Sequence, residues 1–182
     1  TDTTCTYTPS ANYNGSDSFV YRANDGITNS TTDVVVSLNV AAVNDAPTLA
    51  ATQSVGTGED ASVNFNLNPG SDIEGDTLSY SVVTPPASGA LVCVGGTSTA
   101  CTYTPSTNFN GSETFVYRVN DGSLNSNNST VTVTVSADND APVAAADQAD
   151  STAEDTALNF TLNAGSDVDL PAQTLEYKLV NA

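Results

Sequence analysis

Histidine, tryptophan and methionine are absent from this 182-residue sequence, and lysine plus arginine number only 3 against 21 aspartates and glutamates. Without histidine, the commonest general base and the commonest transition-metal ligand are missing. The formal net charge of −18 repels nucleic-acid phosphates and anionic lipid headgroups and attracts cations. No run of about 18 apolar residues occurs, so no segment reads as a membrane-spanning helix. High charge with few aromatics also describes disordered chains, and the hydrophobic patterning below argues against disorder.

A long repeat is present instead. CTYTPSANYNGSDSFVYRANDG begins at Cys5 and returns as CTYTPSTNFNGSETFVYRVNDG at Cys101, 96 residues later, with 17 of 22 positions identical. VNDAP and DNDAP end at Pro47 and Pro142, 95 residues apart, and TGEDASVNFNLNPGSDIEGDTLSY (57–80) matches TAEDTALNFTLNAGSDVDLPAQTLEY (152–177) with two extra residues. A fixed long period marks an array of structural units. The expected organisation is the C-terminal half of a repeat (1–45), a complete β-sandwich repeat (46–140) and the N-terminal half of the next (141–182). The chain therefore reads as a window on a longer tandem protein.

Each repeat reads as strands. DVVVSLNV (33–40) places Val34, Val36, Leu38 and Val40 on one face, and TVTVTV (130–135) places Val131, Val133 and Val135 inward with threonines outward. SFVYRA and TFVYRV turn Phe and Tyr to the buried side, and SVNFNL, TLSYSVV, ALVCV and ACTYTP bring the full repeat to about seven short strands. Period-two alternation, β-branched residues and Asn/Gly/Pro/Asp punctuation predict an all-β fold of tandem antiparallel β-sandwiches arranged head to tail, without helix.

Cys93 and Cys101 flank VGGTSTA, a turn between two strands. A cross-strand disulfide there closes a short loop and stabilises by about 2–3 kcal/mol, which fits an oxidising setting. Two buried free thiols in a reducing compartment is the alternative. Cys5 occupies the slot of Cys101, and by the repeat offset its partner is expected just upstream of Thr1.

The carboxylates gather in loops: GED (58–60), SDIEGD (71–76), NDG (120–122), DND (138–140), AED (153–155) and SDVD (166–169). With strands lettered A to G, the A–B loop (Glu59) and E–F loop (Asn110, Glu113) are expected at one end. The B–C loop (Asp72, Glu74, Asp76) and F–G loop (Asp121) are expected at the other. Stacked repeats would bring both sets to the linkers. Carboxylates about 4–5 Å apart repel by roughly 3–4 kcal/mol per pair at an effective dielectric near 20, and they protonate, splay or bind a cation. An all-oxygen donor set suits Ca2+ and, without His or free thiolates, suits Zn2+ poorly. Alternatively, Asp-Gly and Asn-Asp are ordinary turn residues on a solvated surface.

FVYRANDGITNSTTDVVVSLNVAAVNDAPTLA resembles the end of a cadherin repeat, with its Asp-x-Gly loop, last strand and Asn-Asp-x-Pro linker. SDIEGDTLSY resembles the cadherin Asp-x-Asp-x-Gly loop. The pattern YTPxxNFNGSxxFxYxxNDG is similar to cadherin-like and Ig-like tandem repeats of large bacterial surface and secreted proteins, the VCBS and adhesin type. Carried over by position, the resemblance implies Ca2+ at a first junction built from Asn44, Asp45, Asp72, Glu74 and Asp121. It implies a second junction built from Glu59, Asp138, Asn139, Asp140, Asp167 and Asp169. Two departures stand out. NGSDSF or NGSETF replaces the cadherin Asp-Arg-Glu before strand F, and Val43 stands where the second linker has Asp138, so the first junction is expected to hold fewer ions.

These observations imply a structural and adhesive extracellular protein on a bacterial surface, forming a rod or filament rigidified by Ca2+ between repeats. Its partners are neighbouring repeats or identical subunits, head to tail, together with a cell-surface or matrix ligand. Neither nucleic acid nor membrane insertion of this segment is expected. Catalysis is not expected either, because no nucleophile–base pair exists and loop carboxylates that recur in every repeat do not describe one active site. The alternative is a binding module for carbohydrate or protein partners on a large secreted protein. That alternative calls for a clustered aromatic platform, whereas Tyr and Phe fall at inward positions and Trp is absent.

Overall fold

Valine alternating with threonine gives residues 129–136 one apolar and one hydroxylated face. The computed structural model, which describes residues 3–169 and 173–180, shows this segment as a strand with Val131, Val133 and Val135 buried. The elements are β1 (Gly15–Tyr21), β2 (Val34–Val40), β3 (Thr52–Gly58), β4 (Val63–Asn66), β5 (Ser79–Thr84), β6 (Gly89–Cys93), β7 (Ala100–Pro105), β8 (Gly111–Asn120) and β9 (Ser129–Ser136). There is no helix among the described residues.

β3 to β9 form a sandwich of a four-stranded sheet, ordered β3-β9-β8-β5, on a three-stranded sheet, ordered β4-β7-β6. All of its ladders but one are antiparallel; β3 runs parallel to β9, with Val55 opposite Val133. The sandwich is thus antiparallel as expected, with one parallel pair at the edge of the larger sheet. In a chain of seven strands that reverse in turn, the first and last point the same way, so becoming neighbours makes them parallel.

The core fills from alternate positions. Tyr103, Phe115, Tyr117, Val131 and Val133 are fully buried, and Leu67, Cys101 and Val135 nearly so. Polar ends in this core are satisfied: Tyr103 Oη donates to the Ser88 carbonyl at 2.9 Å and Tyr117 Oη to the Asn68 carbonyl at 3.1 Å. Each such bond contributes about 1 kcal/mol and avoids the larger penalty of an unpaired buried hydroxyl. Cys93 and Cys101 stand opposite each other in the β6–β7 ladder and are joined as a disulfide.

The flanking segments repeat these sequences in different surroundings. β1 and β2 pair only with each other, and Phe19 is 39% exposed where Phe115 is 0%. Cys5 is a free, exposed thiol. The left-handed turn positions recur, Asn12 with Asn108 at φ 60° and 57°, and Asp60 with Asp155 at φ 57° and 59°. Asn and Asp tolerate this conformation because their side chains bond locally.

Candidate cation-binding junctions at the linkers

Both linkers are built the same way. The Asp140 N–H donates to Asp169 Oδ1 at 3.2 Å, and the Asp169 N–H donates to Asp167 Oδ1 at 2.9 Å. At the first linker, the Asp45 N–H donates to Glu74 Oε2 at 3.3 Å, and the Glu74 N–H donates to Asp72 Oδ1 at 3.0 Å. The short side chain before each linker aspartate folds back: Asn44 Nδ2 donates to the Asp45 carbonyl at 3.1 Å and Asn139 Nδ2 to the Asp140 carbonyl at 2.8 Å. Linker and loop are thereby clasped by backbone donors on carboxylates, the charge-assisted kind of bond.

The first junction gathers its five expected residues into one connected set. Asn44 Nδ2 also donates to Asp121 Oδ2 at 2.8 Å. The other oxygen of Asp121 closes the β8–β9 turn, accepting from Ser123 N at 2.6 Å and Leu124 N at 2.7 Å. Asp121 is thus both a turn residue and a junction residue. The Leu124 N–H, the Asn44 amide and the Ser123 N–H hold its carboxyl below the usual aspartate range. Asp72 Oδ1 receives Glu74 N and Asp76 N, while its Oδ2 is buried with no hydrogen-bond partner.

The second junction gathers its six expected residues and adds Asn110, Asp60, Asn108 and Gln173. Glu59, only 8% exposed, accepts from the Asp138 N–H through Oε1 and from Asn110 Nδ2 at 3.2 Å through Oε2. Asp138 Oδ1 accepts from the Asn139 N–H at 3.0 Å. Asp60 Oδ1 accepts from the Asn108 N–H at 3.1 Å. One terminal atom of the Asn108 amide lies 3.3 Å from both Asp60 Oδ2 and Asp140 Oδ2. That atom is the amide nitrogen, which donates to both carboxylates. Gln173 Nε2 bridges Asn139 Oδ1 at 3.0 Å and Asp169 Oδ2 at 2.8 Å. Asp140 is the crowded group. Desolvation first, and then the charges of Asp169, Asp60, Glu59 and Asp138, push its carboxyl above the usual range.

Asp60, Asn108 and Gln173 were not assigned to the site from sequence. Asp60 had a signal, since GED returns as AED, and Asn108 had one in the recurring NYN and NFN. Gln173 follows the two-residue insertion and has no counterpart to be read from. Glu113, expected on the linker-end loop, lies within β8 and caps the β5–β6 loop, accepting from Ala87 N at 3.1 Å and Ser88 N at 2.6 Å. Asp17, its counterpart in β1, accepts from Tyr7 Oη at 2.6 Å.

Among the described residues, no three His, Cys, Asp or Glu side chains form a preassembled metal cage. The donor chemistry nevertheless suits a hard cation. The oxygens come from carboxylates, Asn amides and linker carbonyls, which is what Ca2+ takes. Asp72 Oδ2 is a buried, unpartnered carboxylate oxygen, and Asp140 is held by other acids in a state that positive charge would relieve.

A family model described as bacterial Ig domain matches residues 44–134, and one described as cadherin-like domain matches residues 1–41. No curated protein matches the chain. Human mucin-like protocadherin EC1-2 is similar in structure, with a TM-score of 0.50 at 20% identity over 72% of this chain and 73% of that one. An endo-fucoidan hydrolase of glycoside hydrolase family 107 gives a TM-score of 0.43 at 20% identity, over 71% of this chain and 20% of that one. A nucleoside hydrolase-related protein from Saccharophagus degradans gives 0.42 at 18% identity, over 52% and 26%. The chain thus spans about a fifth to a quarter of these last two proteins. The protocadherin likeness concerns fold.

Proposed function

The chain belongs to the bacterial Ig domain family, and on that premise we propose that it is a non-catalytic, extracellular adhesion module of tandem repeats, a rod whose junctions bind Ca2+. The observation that carries this is Asp140, a linker carboxylate crowded by acids from the loop before it, the linker itself and the repeat after it. A bound Ca2+ supplies the positive charge that offsets this repulsion. The residues of the chain do the rest. Glu59 fixes the start of the linker through the Asp138 N–H, and Asp169 fixes its end through the Asp140 N–H. Asp60, Asp138, Asp167 and the Asn139 side chain supply further oxygens. At the first junction, Asp45, Glu74, Asp72, Asp121 and Asn44 take the same parts.

Repeats of this kind contact mainly their neighbours, so a rod lengthens without a new core. Surface localisation fits the family and the disulfide. Among the described residues, no helix is long and apolar enough to cross a membrane. A carbohydrate-binding module gains nothing from the exposed aromatics. Phe19, Tyr21, Phe160 and Tyr177 occupy positions equivalent to inward-facing ones in the sandwich.

Thermal melts and small-angle scattering with millimolar Ca2+ and then with chelator test the reading. The expected result is a clear fall in melting temperature on chelation together with a more kinked particle. An unchanged melt and unchanged dimensions would reduce the acidic loops to solvated turns.

A further inference from the structure

Residues 46–140 carry nine Asp or Glu and a single basic residue, Arg118. Among the described residues, Arg118 pairs with none of these acids; the one ion pair joins Arg22 to Asp33. The Arg118 guanidinium meets no protein acceptor, and its Nε is covered by surrounding atoms and unpaired. A covered, unsatisfied donor on a charged group is costly. Arginine does not shed its proton to escape that cost, so only an acceptor from outside the repeat satisfies it.

The first repeat settles the same arginine internally. β1 and β2 place Tyr21 opposite Val34, so the next rung faces Arg22 with Asp33, and the two pair. β8 and β9 place Tyr117 opposite Ser129, so the next rung faces Arg118 with Asn128. An amide thus stands where the first repeat has a carboxylate. On the other side, β5 sets Ser81 opposite Arg118. Ser81 and Asn128 are exposed, and among the described residues their side chains, like that of Thr130, make no hydrogen bond. Around one uncommitted cation lie three uncommitted polar side chains.

The face that carries Arg118 is hydroxylated. Because Tyr117 and Val119 are buried, Arg118 projects to the outer side of the β3-β9-β8-β5 sheet. That side continues through Thr52 and Ser54 on β3 and Thr130, Thr132 and Thr134 on β9. Its strands turn their aromatic residues, Phe115, Tyr117 and Tyr80, toward the core. The centre of a protein–protein interface is apolar and enriched in aromatic residues, so a flat field of hydroxyls around a cation suits a hydroxyl-rich ligand better. We propose that Arg118 and its neighbours bind the carboxylate of an acidic sugar in a surface or matrix glycan. The guanidinium takes the carboxylate through parallel N–H···O bonds, once the flexible side chain swings Nε clear. Ser81, Thr130 and Asn128 take the ring hydroxyls beside it. The net charge of −18 opposes any anion, but Asp121, three residues along the chain, is about 10 Å away at the rise of a strand. Physiological salt screens over that distance, so a single carboxylate is admitted, whereas a densely charged polyanion is repelled.

Arg118 belongs to neither junction set, and the sugar site needs no calcium. Titrations are therefore run in chelator, where no Ca2+ bridges sugar to the junction acids and a failure leaves the junction reading untouched. Only two arginines occur in the chain, so the NMR signals of their Nε–H groups report the site and an internal control. Sodium glucuronate, added at constant ionic strength, should shift the Arg118 signal saturably in the millimolar range and leave that of Arg22 in place. Glucose should move neither, and acetate, which lacks the hydroxyls, should bind several-fold more weakly. Asn128→Asp supplies the missing cross-strand carboxylate. It should carry the Arg118 signal toward that of Arg22 and weaken glucuronate about tenfold or more, the equivalent of one charge-assisted hydrogen bond. Arg118→Gln, followed on the backbone amides of Ser81 and Thr130, should abolish the response. Melting temperatures verify that both variants are folded. Absence of a saturable Arg118 shift overturns the proposal, as does an equal shift at Arg22, which marks a general ionic effect. Acetate binding as tightly as glucuronate denies the hydroxyls a part and overturns the assignment to a sugar acid. A response to an aspartyl peptide but not to glucuronate would give the face to a protein partner and overturn it too.

Discussion

The two linkers share a backbone plan and differ in electrostatics. At the first, Asp121 is surrounded by donors, the Leu124 and Ser123 N–H groups and the Asn44 amide, and ionises easily. At the second, Asp140 is partly desolvated among acids and ionises reluctantly. The difference has a local origin. Val43, exposed to solvent, precedes the first linker where Asp138 precedes the second, so an apolar side chain stands where the second linker has a carboxylate. A junction satisfied by its own donors has less to gain from a cation than one held together against like-charge repulsion. A shared Asn-Asp linker motif sets the backbone clasp, and the donors and acids around each carboxylate set how readily it ionises.

Removing the glutamate at each junction should separate the two most. Glu59→Ala strips a buried carboxylate from two donors, and hydrogen bonds to charged groups contribute roughly 1.5–3 kcal/mol each. A loss of about 2–3 kcal/mol in urea unfolding is expected. Glu74→Ala removes one long, exposed contact to Asp45 N, and should cost less than about 1 kcal/mol by the same reasoning. Equal losses would show that the two junctions are not organised as described.

Exchanging the residue before the linker should next transfer the calcium response. Asp138→Val should shrink the Ca2+-dependent rise in melting temperature, whereas in chelator it should raise the melting temperature, because one charge facing Asp140 is gone. Val43→Asp should do the reverse at the first junction. A sign that stays the same in both buffers would separate Asp138 from the cation.

Acid should act oppositely on the two groups. Asp121, whose folded pKa is depressed, contributes stability that is present above its unfolded value near 3.8 and is lost as pH falls through the depressed one. Asp140, whose folded pKa is raised, weakens the fold as pH climbs from about 3.8 through its raised value, so mild acid relieves it. In chelator, the wild-type melting temperature should therefore gain from mild acidification, and Asp140→Asn should abolish that gain. The smallest effect is expected of Asn44→Ala. It removes one neutral amide donor from Asp121, should cost about 0.5–1 kcal/mol, and should move the Asp121 titration, followed by NMR, upward toward its ordinary value.

Much of the sandwich was legible because alternation is a local signal. Val131, Val133 and Val135 announce their face from three letters each side, and Phe115 and Tyr117 do the same. The Cys93–Cys101 pairing was legible because nine residues containing two glycines close easily. The parallel β3–β9 ladder was not, since nothing in TQSVGTG says which edge it will join. Nor was the role of Glu113, which is acidic and near the linker in sequence but turned to the β5–β6 loop in space.

The sequence by itself therefore determined the repeat, the strands, the inward faces and the gathering of acids in loops, all of which rest on periods of two residues or on matching letters 95 and 96 apart. Tertiary structure decided which acids meet. Glu59 reaches Asp138 across 79 residues, Asn44 reaches Asp121 across 77, and Asn108 joins Asp60 across 48. Electrostatic interaction depends on distance through space and on the donors left nearby. Asp121, in the β8–β9 turn against the first linker, is thus held below its usual pKa, and Asp140, in the second linker, above it.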